Sequence, residues 1–91
     1  MKAQRVDSPA RLRVLRMLDQ QGPLHRHKIG EAFDRDDRYR GMTSQALTRL
    51  AGYICRPLLD AGLITESSST DGYHRHFAIT AAGRAALRRD A

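Results

Sequence analysis

The sequence predicts one small α+β domain in which three helices come first, a β-hairpin follows and a short C-terminal helix closes the chain. Three observations carry that expectation. Apolar residues recur every three or four positions through residues 8–33 and again through 43–61, the period of helices with one buried face. Two β-compatible runs, 63–66 and 73–80, flank a polar stretch ending in Asp71-Gly72, a strong local signal for a tight hairpin turn. Finally, 91 residues suffice for one modest core but not for two.

In chain order, residues 1–7 are polar and charged and read as a flexible N-terminal arm, which leaves 8–91 as the single domain. Ser8-Pro9 starts the first helix, with Ser as N-cap and Pro where its missing N–H costs nothing. Leu12, Leu15 and Leu18 form its apolar stripe, with Val14 and Met17 flanking, and Gly22-Pro23 ends it. Arg11, Arg13 and Arg16 lie off the stripe, as a solvated basic face or toward phosphates. Residues 24–33 read as a second helix with Leu24, Ile29, Ala32 and Phe33 inward. The charge-dense stretch 34–41 has no apolar period and reads as a loop longer than an ordinary helix-turn-helix turn.

The third helix, 43–61, organises the rest. Thr43 and Ser44 suit its first turn, and Leu47, Leu50, Ile54 and Leu58 mark one apolar face. The opposite face carries Gln45, Thr48, Arg49, Tyr53 and Arg56, side chains able to donate to phosphates or base edges. An ordinary amphipathic surface helix would also show a polar outer face. Gly62 suits the left-handed residue that ends such a helix. After the hairpin, whose second run lets Phe77 and Ile79 reach the core, Thr80 caps an Ala-rich final helix. The expected core is therefore Leu12, Leu15, Leu18, Ile29, Phe33, Leu47, Leu50, Ile54, Leu58, Leu63, Phe77 and Ile79.

Sixteen Lys and Arg against ten Asp and Glu give a net charge of +6, and the basic residues are nearly all Arg. The guanidinium fork suits phosphate and guanine edges, so the balance favours a nucleic-acid partner over a neutral small ligand. No apolar run is long enough to span a bilayer, and no secretory signal follows the basic N-terminus, so a cytoplasmic location without a membrane partner is expected. Cys55 is the sole cysteine and cannot form an internal disulfide.

His25-Arg-His27, His74-Arg-His76 and Cys55 offer metal-ligand types, but on one helix His25 and His27 would sit far apart around the axis. No metal or cofactor is expected. Cys55 reads as a small, partly buried hydrophobe rather than a redox sensor, with Arg56 the one basic neighbour able to activate it. No Gly-rich phosphate loop, nucleophile elbow or telling carboxylate pair suggests an enzyme.

Asp60-Ala61-Gly62-Leu63-Ile64 at the corner before the hairpin and Ile-Thr-Ala-Ala-Gly-Arg-Ala-Ala-Leu at 79–87 after it are a telling pair at this separation. With the element order they resemble the winged helix-turn-helix regulators of bacteria, archaea and phages, most nearly the MarR and PadR groups, over nearly the whole chain. Eleven residues separate Leu50 from Gly62, about one turn more than is usual there, and Pro57 falls among them. A kink or break is therefore expected near Cys55 to Pro57. The long flanking helices through which MarR-like proteins dimerise are missing, so a dimer would use the short terminal elements.

The resemblance implies a sequence-specific regulator of double-stranded DNA, expected here to act as a repressor and a homodimer. Thr43, Ser44, Gln45, Thr48 and Arg49 would meet the major groove; Arg38, Arg40 and Tyr53 would hold phosphates; and His74, Arg75 and Arg84 on and after the wing would reach the flanking backbone or minor groove. The competing expectation keeps the fold but turns the basic face toward an acidic protein surface, as an adaptor or a phage-encoded inhibitor would.

Overall fold

The structure, a computed structural model, describes residues 8–68 and 75–90. The arm at 1–7, the Asp71-Gly72 turn, Tyr73 and His74 lie outside the described residues. The order is α1 (Pro9–Gln21), β1 (Leu24–His25), α2 (Arg26–Phe33), a 3₁₀ turn (Asp37–Tyr39), α3 (Ser44–Asp60), β2 (Ile64–Ser68), β3 (Arg75–Ile79) and α4 (Ala81–Asp90).

α1 begins as its sequence dictates, with Ser8 extended and its side chain accepting from the Arg11 N–H at 3.5 Å. It ends where the Gly22 N–H reaches the Leu18 carbonyl at 3.1 Å. Its buried face is broader than the expected stripe and turned from it. Val14, Leu15, Met17 and Leu18 are buried while Leu12 is half-buried, because α1 packs at once on α3, α4 and β3.

Leu24 and His25 are a correction. They form a short strand and not the first turn of a helix, pairing antiparallel with β3 through Leu24 opposite Phe77 and His25 opposite His76. β2 covers the other side of β3 from Ile64 opposite Ile79 to Ser68 opposite Arg75, so the strand order is β1-β3-β2. Pro23 favours an extended path into this segment, and β3 supplies the backbone partners.

α2 packs closely on α3, and Gly30 sets the distance. A methyl group there would lie 2.8 Å from the Leu47 carbonyl oxygen and 3.1 Å from the Thr48 nitrogen. The charged stretch between them is more ordered than its composition suggests. Asp36 caps the 3₁₀ turn by accepting from the Arg38 N–H at 3.0 Å, and Arg13 of α1 holds the turn from behind. Its guanidinium bonds Asp36 at 3.3 Å and the Ala32 carbonyl at 3.0 Å and lies 5.0 Å above the Phe33 ring, which meets Tyr39 edge-on.

α3 starts at its expected cap, the Thr43 hydroxyl accepting from the Ala46 N–H at 3.1 Å. The break expected near Pro57 is absent: α3 runs unbroken to Asp60. Pro57 has no N–H to give the Tyr53 carbonyl, and Tyr53 lies on the exposed side of the helix. The buried positions are Leu47, Ala51, Ile54, Cys55 and Leu58, with Leu50 only half-buried, so the inward face is centred about one position away from the expected stripe. The helix closes in a Schellman motif. Gly62, at φ 75°, donates to the Leu59 carbonyl and Leu63 to that of Leu58, at 3.0 and 2.9 Å.

Thr80 links sheet to α4: its hydroxyl donates to the Gly62 carbonyl at 2.8 Å and accepts from the Gly83 N–H at 3.0 Å. Gly83 lets α4 approach the Leu63 carbonyl, where no methyl group would fit. The other expected core residues are buried, joined by Val14, Met17, Ala51, Cys55, Ile64 and Ala86. Three helices, a β2–β3 wing and a closing helix make this an α+β winged helix-turn-helix fold.

Candidate nucleic-acid interface

Because Leu47, Ala51, Ile54 and Leu58 anchor α3 inward, the helical period turns Gln45, Arg49, Tyr53 and Arg56 outward, and all four are exposed. Arg49 has no acidic partner among the described residues, whereas Arg56 lies 4.0 Å from Asp60 on the same helix. Tyr53, at 76 % exposure, is the one large hydrophobic side chain left open among the described residues. Ser44, Gln45, Thr48 and Arg49 come together around an open hollow of about 400 Å³, completed by His27 from α2.

The other expected contacts are distributed differently. Thr43 spends its hydroxyl lone pair on the α3 cap. Thr48 donates its hydroxyl proton to the Ser44 carbonyl at 2.9 Å. Arg40 pairs with Asp37 at 2.7 Å, and Arg38 lines a separate hollow with Pro9, Ala10 and Arg13, on the α1 side of the turn. On the wing Arg75 pairs with Glu66 at 2.9 Å yet keeps 67 % of its side chain exposed, so it is not a cover for the core. Arg84 is held to α1 through Asp19 at 3.2 Å.

Two further residues lie at this face that the sequence did not place there. Arg26 and His27 open α2 beside the middle of α3. The Arg26 side chain runs along α3 at Gly52, where a methyl group would meet it at 3.4 Å. His27 places Nε2 3.2 Å from Glu31 and Nδ1 3.5 Å from the Thr48 hydroxyl. The only signal was a basic pair after Gly-Pro, hidden by reading 24–33 as one helix.

The expected separation of His25 from His27 does not hold, since His25 belongs to a strand. Their rings stack at 5.9 Å, and His76 meets His25 edge-on at 5.8 Å. Among the described residues no three His, Cys, Asp or Glu side chains are placed to hold a metal ion. Cys55 is fully buried, and burial pushes its thiol up to about 12, against a smaller opposing pull from Arg26. Arg26, not Arg56, is thus the cation that acts on it.

No helix among the described residues is long and apolar enough to cross a membrane. No protein-family model and no curated protein sequence matches the chain. Solved structures that share its fold include a probable transcriptional regulator from Pseudomonas aeruginosa, at TM-score 0.68 and 23 % identity over 90 % of this chain, and the YusO protein from Bacillus subtilis, at TM-score 0.69 and 22 % identity over 89 %. The chain spans about half the length of each, 54 % and 50 % respectively, and the likeness is one of fold.

Proposed function

We propose that this domain binds double-stranded DNA as a transcriptional regulator, laying the first half of α3 in the major groove and the β2–β3 wing along the flanking backbone. The observation that carries the reading is Arg49, an exposed guanidinium without an acidic partner among the described residues, beside Ser44, Gln45 and Thr48 on the outer face of a helix fixed in a winged helix-turn-helix. Its fork matches the paired acceptors of a guanine edge, while Arg75 on the wing suits phosphate. The shared fold of a probable transcriptional regulator agrees with this role. Sequence-specific repression as a cytoplasmic homodimer is the fuller form of the proposal, because two half-sites give one short recognition helix the contact area it lacks alone. A pair would weigh about 20 kDa by light scattering, against 10.2 kDa for one chain.

Fluorescence titration of cognate and scrambled duplexes at several salt concentrations tests the reading. Arg49→Ala should cost about 1–3 kcal/mol at one base position and relax preference, and equal losses on both duplexes would refute base reading. Arg75→Ala should weaken every sequence alike and lower the salt slope by about one, and an unchanged slope would remove the wing contact. Exposed Tyr53 between Arg49 and Arg56 supports a second reading, a contact on an acidic protein surface, since Tyr and Arg dominate protein interfaces. A protein that leaves random duplex DNA at low salt would favour that one.

A further inference from the structure

We infer that His27, outside the recognition helix, is a further DNA-contacting residue and that it makes its contact as an imidazolium, so that docking of the duplex takes up a proton. The inference rests on the DNA reading above and names a regulation of that same face.

The hydrogen-bond inventory around the ring points to it. Glu31 Oε1, 3.2 Å from Nε2, is a carboxylate oxygen that only accepts. Thr48 Oγ1, 3.5 Å from Nδ1, has committed its one proton to the Ser44 carbonyl at 2.9 Å and offers His27 a lone pair. Both ring nitrogens thus face acceptors, and only the doubly protonated ring donates to both. Cations also stand around the ring. Lys28 shares Glu31 at 3.6 Å, Arg26 precedes the ring, and Arg49 of α3 lines the same hollow. On the β1 side His25 stacks at 5.9 Å with His76 of β3 beyond it, and in the hollow beside α2 Asp34 and Arg35 add one charge of each sign.

A DNA phosphate entering the hollow formed by His27, Ser44, Gln45, Thr48 and Arg49 changes this balance. It brings negative charge to a ring whose side chain is 49 % exposed. By linkage, a ligand that raises a group's hold on its proton must itself bind more tightly as the pH falls.

The test is fluorescence anisotropy on a labelled duplex at constant ionic strength and pH 6, 7 and 8, for the wild type, His27→Gln and His76→Gln. Wild-type affinity should rise about three- to tenfold per unit fall in pH, ten being the ceiling for one proton. His27→Gln, which keeps a donor and an acceptor but no charge, should bind with a flat profile, and His76→Gln should keep the slope. Calorimetry of the wild type in two buffers of different ionisation enthalpy counts the proton directly, should the variant fold poorly. A flat wild-type profile, no proton uptake, a slope that survives in His27→Gln or one lost equally in His76→Gln would each overturn the assignment. A wild type that binds no duplex at any of these pH values at low salt overturns the DNA reading itself, and this inference with it.

Discussion

Replacing Gly30 by Ala adds one methyl group where α2 and α3 touch, and everything it meets is backbone. Its Cβ would lie 2.8 Å from the Leu47 oxygen, 2.9 Å from the Leu47 carbonyl carbon and 3.1 Å from the Thr48 nitrogen. Relief to ordinary contact near 3.5 Å requires α3 to move by roughly half an ångström or more, since no rotamer change removes a main-chain atom. Overpacking of this kind costs about 1–3 kcal/mol, and the rigid neighbour puts Gly30 in the upper part of that range. Alanine returns about 1 kcal/mol through its better helix propensity. The clash wins, leaving a net loss of about 1–2 kcal/mol, or roughly 4–16 °C of melting temperature for a domain this size. Gly52→Ala is the matched control. Its new methyl meets only the Arg26 side chain at 3.4 Å, an ordinary contact with a flexible neighbour, so the propensity gain stands nearly alone. Thermal unfolding followed by circular dichroism should move the two variants in opposite directions. A Gly30→Ala protein as stable as its parent would refute the close approach of α2 to α3, and with it the placement of Thr48 and Arg49 that depends on it.

Leu58→Ala should cost about 2–5 kcal/mol in denaturant unfolding, while Leu50→Ala, at a half-buried site, should cost clearly less; equal losses would show that α3 is turned from the face seen here. The buried Cys55 thiol should resist a thiol reagent at pH 8 in the folded protein and react fully in urea, and rapid labelling without denaturant would contradict its burial. Burial raises this thiol from 9.0 to about 12, so the unfolded chain loses the proton first. Its contribution to stability is present below pH 9.0 and falls as the pH climbs toward about 12, and Cys55→Ala should flatten that part of the alkaline unfolding profile.

What was legible in the sequence was local. Ser8, Thr43 and Thr80 cap helices because short hydroxyl side chains satisfy the first free N–H groups, and Gly62 ends α3 because a left-handed residue is needed there. The misses all concern partners distant along the chain. Leu24-His25 is a strand only because β3 lies beside it, and two residues have no period of their own. The α3 stripe was misplaced by about one position because Ala51 and Cys55 are poorer apolar markers than Leu50, yet both are fully buried. Pro57 did not break α3, in which Cys55 and Leu58 on either side of it are buried. On the candidate interface, Gln45, Arg49 and Tyr53 follow from helical periodicity alone. His27 did not, since its place beside Thr48 depends on how α2 is laid against α3.

The pairing of β1 with β3 also bears on the order in which the protein assembles. Residues joined across that ladder are roughly fifty positions apart, so the loop between them must close before the bonds form, a slow kind of contact for so small a domain. A nascent chain still lacking β3 can make the helical turns of α1, α2 and α3 but has nothing to hold Leu24 and His25 extended. The strand that leads directly into Arg26 and His27 is therefore completed only once β3 is present.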